Sequence, residues 1–170
     1  MNIERIEKKQ REANFFLNKM IEHEARAFGD REPFDFYLSA FLSASRSVDY
    51  RLRYEQPAIY PAWRDSWNAA LAPNDDQLMK YMADDRALEV HRSGSGRDAT
   101  VEYSAIPGNT YSDNSGVLTI FAPPGTPPPI IGKPAYYFTI GGASKRVTEA
   151  CTEYLSLLDR MVADFKAAHP

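Results

Sequence analysis

The sequence predicts a mainly α-helical fold, an up-and-down helical bundle of four to five helices with a small antiparallel β-insertion before the last helix. Three observations lead there. Up to Gly94 the apolar positions return every three or four residues within several segments. Residues 97–142 change to alternation at period two, interrupted by glycine and proline, and helical spacing resumes after Gly141-Gly142. At 170 residues and 44% hydrophobic, the chain is long enough for one well-buried core, so residues 1–170 are read as a single domain with 97–142 inserted into it.

The elements follow in order. Residues 2–28 are rich in Glu, Lys, Arg, Ala and Leu, with Ile6, Ala13, Phe16, Leu17, Met20 and Ala27 on one side of a long amphipathic helix. After the break at Gly29-Asp30, Pro33 suits the first turn of a second helix running to about Glu55. Phe34, Leu38, Phe41, Ser45, Val48 and Leu52 draw a nearly straight seam along it, and the small row Ser39, Ser43, Ser47 predicts close approach of the first helix. Trp63, Trp67, Ala70 and Leu71 mark a shorter third helix. Asn74, with Gln77 three residues on and Asp75 and Asp76 between, reads as a capped start for a fourth helix that continues to Arg92 and the glycine stop at Gly94. Strands are expected over 100–104, 117–121 and 135–140, separated by the turn-rich PGNTYSDNSG and the stiff, proline-rich APPGTPPP. Val147, Cys151, Tyr154, Leu158, Met161 and Phe165 then predict a last helix that returns to the bundle.

Composition narrows the function classes. A net charge of -3 from mixed charges provides no global field for polyanions, so nucleic acid must be met by a local patch. A lone cysteine, Cys151, excludes an intramolecular disulfide and fits a reducing compartment. The charged N-terminal segment lacks a signal-peptide apolar region and no apolar run approaches a membrane span, so a cytoplasmic protein with no membrane partner is expected. His23 and His169 have no neighbouring Cys or His that would complete a metal site; neither a metal nor another cofactor is expected.

The stretch MADDRALEVHRSG places Arg86 and His91 five residues apart on the last turns of the fourth helix. Five residues on an ideal helix are separated by about 140° around the axis and about 7.5 Å along it, so the two do not share a face. They meet only where the last turn unwinds or where a twofold partner brings its own pair to the axis. The structural alternative is plain: Arg86 pairs with Asp85 or Glu89, and His91 caps helical carbonyls.

With its Arg-x4-His spacing near a helix end, and a preceding helix reading FYLSAFLSASRS, the chain resembles the HEPN superfamily over most of residues 1–94 and 143–167. The resemblance implies a metal-independent endoribonuclease acting as a homodimer on RNA, of toxin or defence type and in some cases paired with an antitoxin protein. By position, Arg86 would hold the scissile phosphate, and His91 would move protons at the 2′-hydroxyl and the leaving oxygen. Ala87 stands where members of the family usually carry a polar residue. This departure, with the acidic net charge, favours the alternative of a catalytically silent binding or dimerisation module.

Arg46 and Asp85 are candidate helpers lining the same groove, together with Asp49 and Asp84. Gly141, Gly142, Ser144 and Lys145, read as joining a strand to a helix capped by Ser144, form a candidate anion-binding turn, which with the groove beside Arg86 would suit a nucleotide or small-ligand binder. Trp63, Trp67, Tyr136, Tyr137 and Phe138 have the composition of a base-stacking platform, although their spacing fits a core better.

Overall fold

The seam Phe34, Leu38, Phe41, Ser45, Val48 and Leu52 is buried along its whole length. The computed structural model describes residues 3–26, 30–91, 97–105, 110–113, 116–119 and 130–169, and describes side chains for 3–26, 30–83, 98–102 and 132–169. Helix α1 (Ile3–Glu24) lays Ile6, Ala13, Leu17 and Met20 against that seam. Helix α2 (Arg31–Glu55) begins at the cap Asp30, whose carboxylate accepts from the Glu32 N–H at 3.2 Å, with Pro33 in the first turn. The two run antiparallel. His23 near the end of α1 meets Phe34 near the start of α2, while Lys9 shares a surface hollow with Tyr50 and Tyr54 near its end.

Helix α3 (Tyr60–Ala69) starts with Tyr60-Pro61, where proline's missing N–H is harmless, and packs Tyr60 and Trp63 edge-on to Phe165. Helix α4 (Pro73–His91) starts two residues earlier than its Asn74 cap predicts, the Asp76 N–H bonding the Ala72 carbonyl at 3.0 Å, so Asn74 lies inside the first turn. It buries Leu78, Met79 and Met82.

Strands β1 (Arg97–Ala105) and β4 (Ile130–Ile140) pair antiparallel from Arg97 opposite Phe138 to Ala105 opposite Ile130. Strands β2 (Thr110–Asp113) and β3 (Gly116–Thr119) make a separate hairpin, so part of the segment read from sequence as turn-rich is strand. The proline-rich stretch lies outside the described residues.

The largest correction falls at Gly141-Gly142. These glycines, at φ 59° and 83°, make a tight turn from β4 into strand β5 (Ala143–Arg146), completing a sheet of order β1-β4-β5. Two consecutive positive φ values are what a two-residue hairpin turn demands and what glycine supplies without strain. Ser144 is therefore in a strand opposite Thr139 rather than capping a helix, and α5 (Val147–Ala168) begins after Arg146 with no side-chain cap. Gln77, expected to reach back to its own helix start, packs against Gly141, where a Cβ would collide with its amide.

Helix α5 buries Val147, Ala150, Cys151, Tyr154, Leu158, Met161 and Phe165, and meets α1, α2, α4, β4 and β5. The sheet joins the same core through β4: Tyr136 stacks on Phe34 with ring centroids 3.8 Å apart, and Phe138 meets Tyr81 at 5.1 Å. Arg146 fastens the junction, its guanidinium 2.5 Å from Glu102 on β1 and 3.8 Å from Glu24, while Glu24 accepts from Thr148 at 2.7 Å. Among the described residues no helix is long and apolar enough to cross a membrane.

The packing sets two expectations for stability. Leu38→Ala, which opens a cavity in the α1–α2 seam, is expected to lower unfolding free energy by about 2–5 kcal/mol in urea titration. The His23 imidazole is buried, and its pKa is lowered, first by that burial and then by Arg26, with Asp30 opposing. The unfolded chain therefore takes up the proton first, and stability falls as pH drops below the ordinary histidine value of about 6.5 until the folded imidazole itself protonates. Thermal melts should show the wild type losing more Tm than His23→Leu between about pH 7.5 and pH 5.5.

Candidate functional site

Where α2, α3, α4 and α5 converge, the chain leaves a cavity of about 180 Å³ lined by Arg46, Asp49, Arg64, Asn68, Met79 and Ala83, with Tyr154 and Leu158 beside them. Seam geometry explains its position. Val48 and Leu52 turn inward on α2, which leaves Arg46 and Asp49 at the edge of the buried stripe. On α3, Arg64 and Asn68 lie one turn apart beside the Trp63 and Trp67 row. A larger hollow of about 590 Å³ between α3 and α4 shares Arg64, Asn68, Met79 and Ala83 with this cavity.

Asp49 organises the polar side. Its Oδ1 accepts from the Tyr60 hydroxyl at 2.6 Å and from Arg64 Nε at 3.1 Å. Burial, reinforced by the neighbouring Asp49 carboxylate, raises the Tyr60 pKa well above the usual phenol range, so the hydroxyl stays a donor. Tyr154 is likewise pushed up to about 12, by burial first, with Arg46 pulling the other way. Arg64 lies over the Trp67 ring at 5.0 Å, while its Nη1 is buried without a hydrogen-bond partner among the described residues. The resulting groove holds one guanidinium anchored by a carboxylate, a second at Arg46, and an amide at Asn68. Those donors suit a planar or tetrahedral oxyanion.

No family model, curated protein or solved structure matches the chain.

Arg46 and Asp49, expected in a groove beside Arg86, line this cavity between α2, α3, α4 and α5. The side chains of Arg86, His91, Asp84 and Asp85 lie outside the described residues, although helix α4 extends through all four positions. Arg86 is seven residues from Met79, which brings it back to within about 20° of the same angular position on α4, while His91 falls about 140° further round. The Gly141 turn is a hairpin, so the helix-start amides expected at the anion site are absent from it; Lys145 instead donates to Glu153 on α5. The aromatic residues do not make one platform. Tyr136 and Phe138 are buried, and Trp63 and Trp67 pack on each other and around Phe165.

Arg64, Asn68 and Tyr60 went unread in the sequence. The signal was the spacing Tyr60-x3-Arg64-x3-Asn68, one polar row on α3, hidden because the flanking tryptophans read as an apolar stripe. Removing the Tyr60 hydroxyl tests the triad: Tyr60→Phe is expected to cost about 1–3 kcal/mol in urea titration, with unchanged far-UV circular dichroism, because Asp49 loses its shortest donor in a part-buried site.

Proposed function

We propose that the protein is a metal-independent endoribonuclease of HEPN type, in which Arg86 and His91 act at the mouth of the groove between α2, α3 and α4. One observation carries the reading furthest. The helical register of α4 returns Arg86 to within about 20° of Met79, about 10.5 Å further along the axis; Met79 is one of four residues shared by both hollows, Arg64 lines both, and Arg46 lines the smaller. An active dimer is part of this proposal. An isologous contact near the end of α4 brings two copies of the pair together and offsets the angular separation within each helix.

The chemistry needs no metal to balance. The 2′-oxygen attacks the adjacent phosphorus as its hydroxyl proton is taken up, the bond to the 5′-oxygen breaks, and that oxygen receives a proton. The products are a 2′,3′-cyclic phosphate and a 5′-hydroxyl. Arg86 holds the phosphate as charge builds on its nonbridging oxygens, and a histidine accepts or donates the proton. His91, in the last turn of α4, is the histidine this reading assigns to the acid step.

The competing reading is a catalytically silent interaction module. It is favoured by Ala87, by the net charge of -3 and by the commitment of Arg64 to Asp49.

Cleavage of a mixed-sequence RNA in excess EDTA separates the two. The nuclease reading expects cyclic-phosphate ends from the wild type, and a loss of about 10²–10⁴-fold in His91→Ala with the fold intact by circular dichroism. Arg86→Ala should be comparably inactive, and Arg46→Gln should lower kcat/KM by roughly tenfold, the worth of one charge-assisted contact. Activity equal in all variants, or absent from the wild type, leaves the interaction module.

A further inference from the structure

The outer face of α2 carries a second aromatic and basic surface that the groove does not use. Tyr50 and Tyr54 are 57% and 73% exposed, unusual for large rings that the core has not claimed. They stand one helical turn apart, about 6 Å along the axis, so both rings lie on the same strip of surface. Between and beside them, Arg51 and Arg53 enter no ion pair among the described residues, and with the tyrosines they line a hollow of about 590 Å³.

Arg46 links this surface to the inner groove. Its guanidinium lies 5.5 Å from the centroid of the Tyr50 ring, and the same side chain lines the cavity that holds Asp49 and Arg64. Arg46 is thus the side chain that touches Tyr50 and also lines the groove. Of the acidic groups nearby, Asp49 is engaged by Tyr60 and Arg64, Glu12 by Lys9 at the edge of the hollow, and Glu55, one turn from Arg51, also has a partner. The strip is locally cationic on a chain whose net charge is -3.

We propose that this face of α2 binds single-stranded RNA, stacking two bases on Tyr50 and Tyr54, neutralising the backbone with Arg51 and Arg53, and leading the strand across Arg46 into the groove. Charge complementarity selects the occupant. An apolar partner would meet unpaired guanidinium groups, whereas a polynucleotide supplies both flat faces for the rings and phosphates for the arginines. A duplex hides its bases and satisfies only the arginines. The choice of RNA as substrate rests on the ribonuclease reading, while the surface is tested apart from catalysis.

The experiment is fluorescence anisotropy with a short fluorescein-labelled oligouridine carrying 2′-O-methyl groups, which cannot be cleaved, using the full chain in EDTA at low salt. Wild type should bind this single strand and discriminate against a duplex. Tyr50→Ala combined with Tyr54→Ala should weaken binding by roughly tenfold or more, while the double Tyr→Phe variant stays within about twofold. Arg51→Gln with Arg53→Gln should flatten the logarithmic salt dependence by about 1.4, some 0.7 for each phosphate that is no longer neutralised.

The proposal is overturned by no wild-type binding, by equal affinity of the alanine pair, or by equal affinity for duplex. It is also overturned if sedimentation shows the alanine pair converting a dimer to monomer, since the tyrosines would then hold a second copy. Cleavage of unmodified RNA by wild type but not His91→Ala, with oligouridine binding indifferent to the tyrosines, removes the platform and keeps the nuclease. Tyrosine-dependent binding without cleavage removes the nuclease and keeps the surface.

Discussion

Helix α5 buries a face that takes up roughly half of its circumference, and that burial holds the remaining elements in place. Its buried positions run from Val147 to Phe165 in one broad face, wider than a single neighbouring helix covers. Helices α1, α2 and α4 and strands β4 and β5 all meet it, although it is the last helix in the chain. The bundle therefore closes only when the C-terminal segment arrives, and the three-stranded sheet is tied in at the point where α5 begins. Tyr60, Trp63 and Phe165 show the consequence locally: the short α3 finds its apolar partner on a helix about a hundred residues away in sequence.

The groove is a by-product of this closure that charge has made specific. Four helices meeting at Tyr154 and Leu158 leave a wedge that apolar side chains do not fill, and α2 and α3 place polar groups at its rim. Asp49 fixes Arg64 by accepting from it and from Tyr60, while Trp67 lies under the guanidinium. A guanidinium held on two sides loses little freedom when a ligand arrives, which is the advantage of preorganisation. Arg46 differs, since its stacking partner is an exposed ring. The two cations on one rim are therefore held differently, Arg64 by a carboxylate and the Trp67 ring, Arg46 by an exposed ring.

The sheet is held through β4 and Arg146. Tyr136 and Phe138 bring one face of β4 into the helical core, and Arg146 draws Glu102 and Glu24 together where sheet, α1 and α5 meet. Burial raises the Glu24 pKa, with Thr148 and Arg146 opposing, so the carboxylate depends on these partners for its charge. The insertion thus shares its support with the bundle, and a disturbance at the β5–α5 junction reaches both.

Local pattern carried much of the fold. The α2 seam, the return of helical spacing at Val147 and the change of period after Gly94 all express geometry that repeats every few residues, so they are legible without knowing what packs where. The same locality explains the errors. Thr110–Asp113 and Ala143–Arg146 are strands through pairing with β3 and β4, and four residues are too few to show a period of their own. Ser144 beside glycines resembles a cap in sequence and becomes a strand residue because Thr139 faces it. Arg46, Asp49, Arg64 and Asn68 line one cavity because α2 and α3 meet beside α5, which no spacing within a single helix shows. Sequence alone determined which faces of the helices are apolar, because that depends on spacing within one element. Tertiary structure decided which polar residues share a cavity, because that depends on the angles at which separate helices meet.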